Sequence, residues 1–216
     1  GCSAGRSIKT SCYNVILGGN AGCCISVGSG QNTLIGVSAG NKLGKDNTSV
    51  NGNTFLGFLA GGEATNPQYN VAIGHEAGKG TIGCTGGGCN IAMGFRSGCL
   101  QKSNTNNNIF IGRLTGLANS TGCKNIFMGN TSGMCNIGGS SNFAGGYATL
   151  QQNLTGSSNI VIGDQAGKCN TTGGRNVFLG NVVGCSNTTG IGNVAIQCGA
   201  LRCNVSGTFN IAIGNN

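Results

Sequence analysis

The chain has 216 residues, of which 44 are Gly, one is Pro, none is Trp and only 7% are charged. The Gly residues do not follow a Gly-X-Y triplet pattern, which excludes a collagen helix. The hydrophobic residues make up 38% of the chain and recur at regular positions, which argues against a disordered chain. Only Asp46, Glu63, Glu76 and Asp164 are acidic, and they are scattered. Enzymes that cleave polysaccharides need paired carboxylates, so we expect no enzymatic activity, no cofactor and no catalytic residues.

The net charge of +8 could favour anionic partners. The basic residues do not cluster, however; they are spread along the chain, as at Lys42, Lys79, Arg113, Lys168 and Arg202. We therefore expect a weakly basic, solvated surface and no nucleic-acid site, although a dedicated polyanion site stays the alternative. No apolar run is long enough to cross a membrane, so we also expect no membrane insertion.

A short motif, Asn followed by three mostly apolar residues and a Gly, recurs from one end of the chain to the other. It predicts one repeat array over residues 1–216 with twelve repeats. From the sixth repeat on, the spacing is 17 residues, and extra residues lie near 42–52 and 80–88. The repeats begin at Asn14, Asn32, Asn53, Asn70, Asn90, Asn108, Asn125, Asn142, Asn159, Asn176, Asn193 and Asn210.

The three residues after each Asn predict a short strand, because β-branched and aliphatic residues dominate them. Side chains alternate along a strand, so we expect the first and third residues, such as Ile160 and Ile162, to fill the interior. The middle residue would then point outward and form an apolar stripe, which soluble monomers rarely expose. This reasoning predicts self-association, as a trimer or a filament, unless the chain's own loops cover the stripe. The stripe residues are Phe55, Phe110, Phe127, Val161 and Phe178.

A Gly follows each strand except at Gln197, and a polar Asn-x-Thr-Gly turn closes the period in the second half. Gly permits positive φ at corners, and Asn, Thr and Gly favour turns. The pattern predicts an all-β fold, a parallel β-solenoid (β-roll or β-helix) of about twelve coils of about 17 residues. The chain begins and stops in mid-repeat without a cap, which favours an excerpt of a longer fibre, or subunits that stack end to end.

The Asn residues have two interpretations. They could form hydrogen-bonded ladders along the stack, as repeated coils allow. Several also lie in Asn-x-Ser/Thr sequons and are candidate glycosylation sites. The turn pattern alone generates most of these sequons, which favours the structural role. The sequon residues are Asn47, Asn119, Asn130, Asn153, Asn170, Asn187 and Asn204.

Thirteen Cys indicate an oxidising environment. Coils stack about 4.8 Å apart, which is close to the Cα separation in disulfides. Cys185 is therefore a candidate to bridge to Cys169 or to Cys203, and Cys84 could pair with Cys89 across an inserted loop. Free thiols in apolar columns are the alternative. No CxxC occurs and His75 is the only His, so we expect no metal site.

Residues 70–78, Asn-Val-Ala-Ile-Gly-His-Glu-Ala-Gly, resemble the head repeats of trimeric autotransporter adhesins. The longer Asn-x-Thr-Gly turn is more similar to repeats of phage or large-virus tail-fibre and spike proteins. The resemblance covers nearly the whole chain. It implies a parallel β-roll or β-helix, usually trimeric, that works as a stalk or receptor-binding fibre.

These observations predict a structural subunit of an extracellular or virion fibre, adhesive or receptor-binding, located outside the cell, on the cell surface or on the virion. Its expected partners are copies of itself and a cell-surface receptor or glycan. The alternative is an ice- or polysaccharide-binding solenoid, although only one Thr column is regular.

Overall fold

The computed structural model describes residues 1–8, 10–25, 28–45, 49–80, 87–102 and 105–215. It is an all-β solenoid of parallel strands, as the repeat predicts, and it divides into two compact units, Gly1–Asn108 and Ile109–Asn216. The predicted insertions near 42–52 and 80–88 lie partly outside the described residues.

Each strand is three residues long and begins directly after a repeat Asn. The first unit contains β1 (Val15–Leu17), β2 (Thr33–Ile35), β3 (Thr54–Leu56), β4 (Val71–Ile73) and β5 (Ile91–Met93). The second unit contains β6 (Ile109–Ile111), β7 (Ile126–Met128), β8 (Phe143–Gly145), β9 (Ile160–Ile162), β10 (Val177–Leu179), β11 (Val194–Ile196) and β12 (Ile211–Ile213).

Within each unit, successive strands pair in parallel and without any shift in register. In the second unit, for example, Phe110 lies opposite Phe127 and Val161 lies opposite Phe178. The first unit follows the same rule, with Leu34 opposite Phe55. Residues at one position of the repeat therefore form a straight column along the stack, so each column has one environment.

The middle residue of each strand forms the core. These side chains are almost fully buried in β2 to β11, and Ile16 and Ala212 are half-buried. The rings of Phe110 and Phe127 stack with centroids 5.5 Å apart. We call this row the middle column; its members are Ile16, Leu34, Phe55, Ala72, Ala92, Phe110, Phe127, Ala144, Val161, Phe178, Ala195 and Ala212.

The Gly after each strand turns the corner in a conformation that side chains seldom adopt. Gly163 has φ +132°, and a Cβ built there would overlap the carbonyl oxygen of Gly180 in the next coil. Gln197, the one exception, has a φ of 87°. The corner therefore depends on close backbone approach between coils, which Gly allows.

A second Gly, four residues further on, leaves room for the core. A Cβ at Gly133 would overlap the ring of Phe127. Where this position is Leu, the middle residue of the same coil is small: Leu150 accompanies Ala144, and Leu201 accompanies Ala195. Leu150 is fully buried, so it fills the volume that an aromatic ring fills in other coils.

Two ladders of Asn side chains run along the stack. In the strand-start ladder, the Nδ2 of Asn159 donates to Asn142 Oδ1 (3.0 Å) and to the carbonyl of Gly173 (3.0 Å). In the turn ladder of the second unit, the Nδ2 of Asn170 donates to Asn153 Oδ1 (2.7 Å). The prediction of Asn ladders is confirmed. The turn ladder consists of Asn119, Asn136, Asn153, Asn170, Asn187 and Asn204.

Candidate functional site

The predicted outward stripe is wrong, because its residues form the core. Phe110, Phe127, Val161 and Phe178 are 0% exposed and Phe55 is 2% exposed. Three apolar residues in a row do not reveal which face is inside. The middle residue points inward, where the second Gly of the coil leaves space for it, as Gly133 does for Phe127. The first and third residues then point away from the core.

The first and third residues of each strand form an apolar surface instead, which we call the outer strand face. In the second unit it contains thirteen aliphatic or aromatic residues and one Gly, with no polar or charged side chain. Ile160 and Ile162, expected inside, are 47% and 45% exposed. The thirteen residues are Ile109, Ile111, Ile126, Met128, Phe143, Ile160, Ile162, Val177, Leu179, Val194, Ile196, Ile211 and Ile213.

Coil eight departs from this pattern. Gly145 takes the place of the third strand residue, and the ring of Phe143 leans to 4.0 Å from the position where a Gly145 Cβ would lie. The aromatic ring therefore covers part of the gap that Gly145 leaves in the outer strand face.

In the first unit, rings continue the apolar surface past the corner Gly. Phe58, His75 and Phe95 occupy one position in three successive coils, with ring centroids 5.0 and 5.3 Å apart. Phe58 and Phe95 are each more than 40% exposed. The rings of His75 and Phe95 are stacked, whereas those of Phe58 and His75 are tilted by 35°.

Charged groups gather next to these rings. The Glu76 carboxylate accepts from Lys79 Nζ at 2.9 Å and pairs with Arg96 Nε at 3.1 Å. The hydrogen bond from Lys79 lowers the pKa of Glu76, and Arg96 contributes in the same direction. One carboxylate thus faces two basic side chains. Within the described residues, no group of three or more His, Cys, Asp or Glu could hold a metal ion.

A small cavity of about 30 Å³ lies in the first unit beside Ala72, Gly78 and Ala92. It arises because both the middle column and the second Gly position are small in these coils. Ligand pockets typically measure about 300–1,000 Å³, so this cavity is far too small for an organic cofactor.

The candidate disulfides are not formed in the structure. Cys89, Cys169, Cys185 and Cys203 carry free thiols, and Cys84 lies outside the described residues. Cys169 and Cys185 do lie on neighbouring coils, where the Cys169 N–H donates to the Cys185 carbonyl at 3.0 Å. Burial raises the pKa of Cys99 and Cys135, which disfavours the reactive thiolate at these positions.

The Asn side chains of the sequons differ in their exposure to solvent. Asn119, Asn153, Asn170 and Asn187 are 0% exposed in the turn ladder. Their glycosylation stays a prediction, and a glycan on any of these four side chains would have to fit inside the folded chain. Asn204, at the ladder's end, is half-buried, Asn130 is exposed, and Asn47 lies outside the described residues.

Hydroxyl groups form an exposed column two residues after the turn ladder. Thr155, Thr172 and Thr189 follow one another on successive coils, and all three are exposed. Ser206 continues the column and Thr121 begins it, but Gly138 interrupts it. The structure thus supports one regular hydroxyl row, the number expected from the sequence.

Comparison of this chain with protein-family models, with curated proteins and with solved structures finds no match. Among the described residues, the structure contains no helix long and apolar enough to cross a membrane.

Proposed function

We propose that this chain is a structural subunit that associates laterally with copies of itself, through the outer strand face, in a fibre or filament outside the cell or on a virion. The observation that carries this proposal is the apolar character of that face. Soluble monomers rarely expose contiguous apolar patches larger than a few hundred Å², and thirteen apolar residues contribute to this one.

A second copy of the chain is the occupant that fits the face best. In the second unit, consecutive coils other than coil eight present a pair of apolar side chains about every 4.8 Å. Another copy presents the same repeat distance, so side chains of both faces can interdigitate along their length as packed sheets do. In the second unit, the face carries no charged or hydrogen-bonding side chain that would select a different partner.

The test is sedimentation of the wild-type chain and of an Ile160→Lys/Ile162→Lys variant. Wild type is expected to form a defined oligomer or filament at micromolar concentration, whereas buried lysines would oppose association. The variant should be monomeric and keep the wild-type circular dichroism, because both side chains point away from the core.

The matched control is Thr155→Lys/Thr172→Lys, which adds the same charge on the exposed hydroxyl column. It should associate like wild type. A wild-type chain that stays monomeric at 100 times the concentration used for folding measurements would refute the proposal. So would a double-lysine variant that associates as strongly as wild type.

The finer form of the proposal is an adhesive or receptor-binding fibre, in which the turn surface remains available to a receptor or glycan after the outer strand face is covered. Labelling of intact cells or particles with an antibody against the turn residues Thr155 and Thr172 tests it. Labelling is expected without permeabilisation, and labelling that requires permeabilisation would contradict an external location.

The hydroxyl row supports a second candidate function, binding to ice or to a polysaccharide. Thr155, Thr172 and Thr189 repeat at the coil spacing, about 4.8 Å, so they offer a regular row to a regular ligand surface. Thermal hysteresis of the wild-type protein, and its loss in the Thr155→Lys/Thr172→Lys variant, would identify ice binding. Absence of hysteresis and of polysaccharide retention would exclude this candidate.

A further inference from the structure

The turn ladder uses the amide groups to which N-linked glycans are attached. Asn153 Nδ2 donates to Asn136 Oδ1 at 2.6 Å and to the carbonyl of Gly156 at 2.9 Å. Asn187 Nδ2 donates to Asn170 Oδ1 at 2.9 Å and to Gly190 at 3.2 Å. Both amide hydrogens of each residue are therefore engaged, and both residues are fully buried.

N-glycosylation would replace one of these hydrogens. In that reaction, C1 of the first sugar of a lipid-pyrophosphate-linked oligosaccharide bonds to Nδ2, the bond from C1 to the pyrophosphate oxygen breaks, and the amide loses a proton while lipid pyrophosphate leaves. The modified amide keeps one hydrogen for two buried acceptors. One acceptor is then left unsatisfied, which is costly in a protein interior, and the sugar occupies space that the next coil fills.

We propose that glycosylation of the turn ladder and folding of this chain exclude each other, and that Asn130 is the sequon in the described part of the chain that can carry a glycan after folding. The exclusion covers the half-buried Asn204 as well, because its Nδ2 donates to Asn187 Oδ1 at 3.0 Å and to Gly207 at 3.2 Å. A chain that has folded with an intact ladder therefore carries no glycan on these turn residues.

Asn130 differs from the ladder residues in position and in surroundings. It follows the corner Gly129 and its side chain is exposed, so a sugar on Nδ2 would extend into solvent. The third residue of its sequon, Ser132, is fully buried, and its hydroxyl donates to the Ala144 carbonyl at 3.2 Å. A transferase must bind that hydroxyl, so modification of Asn130 has to precede folding while its glycan is compatible with the folded state.

The experiment begins with protein made in the bacterial cytoplasm, which lacks N-glycans. The chain is denatured, treated with a purified oligosaccharyltransferase and a lipid-linked oligosaccharide, and refolded. Protease then removes unfolded molecules, and mass spectrometry measures glycan occupancy at each sequon before and after. Translation in the presence of microsomes gives the same readout without the denaturation step.

In the protease-resistant fraction, we expect occupancy at Asn153, Asn170 and Asn187 to fall at least about tenfold, since each modified molecule leaves a buried acceptor unsatisfied. Occupancy at Asn130 should be unchanged. The control variant Thr155→Ala/Thr172→Ala/Thr189→Ala removes these three sequons but keeps every ladder Asn. It should give a higher protease-resistant yield than wild type after the same treatment, and equal yield without it.

Equal occupancy of the ladder sequons before and after protease would overturn the exclusion. Depletion of Asn130 to the same extent as the ladder residues would overturn its assignment as the glycan-compatible site. Neither result depends on self-association. This inference can therefore fail while the proposed function stands, and the proposed function can fail while this inference stands.

Discussion

At the scale of single residues, several coils of the second unit match the size of the middle residue to that of the residue at the second Gly position. A large middle residue such as Phe127 requires Gly133 beside it, whereas Ala144 is accompanied by Leu150. Both arrangements fill a similar volume from different sides. Because protein interiors are close-packed, exchanging only one member of such a pair should be costly, and exchanging both should be tolerated.

The pair Ala144 and Leu150 provides the test. Ala144→Phe alone forces a ring into the volume of buried Leu150 and should destabilise by about 1–3 kcal/mol. Leu150→Gly alone leaves a cavity and should cost about 2–5 kcal/mol. The double variant recreates the arrangement of Phe127 and Gly133, and should recover at least about 2 kcal/mol relative to the sum of the single changes. Denaturant unfolding of all four proteins measures this coupling, and additive effects would contradict it.

The corner Gly gives a second prediction at this scale. Gly163→Ala places a methyl group against the Gly180 carbonyl at φ +132°. Moving the backbone to relieve this overlap costs on the order of 1–3 kcal/mol, so we expect a lower midpoint of thermal unfolding. Gln197→Gly is the opposite change at the same position of another coil and should leave the midpoint equal or higher. A Gly163→Ala protein as stable as wild type would show that the coils can separate there.

At the scale of the element, each ladder Asn between the two ends is hydrogen-bonded to the ladder Asn on either side. Asn170 donates to Asn153 Oδ1 and Gly173 and accepts from Asn187 Nδ2. Asn170→Ala should therefore cost about 3 kcal/mol or more, because several buried polar groups lose a partner.

The matched control for the ladder is Asn204→Ala. Asn204 and the Gly207 carbonyl that it binds are half-buried, and the amide of Asn204 receives no bond from a further ladder Asn, so a smaller cost of about 1 kcal/mol is expected. The two substitutions are chemically identical and differ in burial. Equal losses of unfolding free energy would mean that hydrogen bonding in the ladder contributes little to stability.

The strands also show which features of the fold the sequence predicts and which it does not. The period, the strand positions, the Gly corners and the Asn ladders follow from residue types at a fixed spacing. Residue types do not determine which face of the strand points into the core, because three consecutive apolar residues fit either orientation. A signal was present: Thr33, Thr54 and Gly145 interrupt the outer columns, whereas the middle column contains no polar residue or Gly. A column that must pack in the core excludes hydroxyl groups more strictly than one that faces outward.

Burial of the sequons and the pairing of Leu150 with Ala144 could not be read from the period alone. Both depend on the direction in which a side chain outside the strand points. That direction is set by the path of the backbone around the coil, which the spacing of residues does not give. The turn Asn was ambiguous between ladder and glycan acceptor because one residue type suits both roles.

At the scale of the whole molecule, a net charge of +8 opposes association of copies while the outer strand face favours it. None of the 12 basic residues occupies the first or third strand position, so association places no charge in the apolar contact. Salt should then strengthen self-association, because it screens repulsion between copies, with a Debye length of about 10 Å at 0.1 M.

Sedimentation equilibrium at low and high sodium chloride measures this balance. Between about 0.05 and 0.5 M, we expect the dissociation constant to fall several-fold, since screening removes repulsion and leaves apolar burial unweakened. Sodium sulfate at equal ionic strength should give a larger effect, because it also strengthens apolar burial. The Ile160→Lys/Ile162→Lys variant should stay monomeric at both salt concentrations, because its face is no longer apolar. Association that weakens with salt would instead indicate ion pairs between copies, through groups such as Asp164 and Arg175, and would move the contact from the strands to the corners and turns.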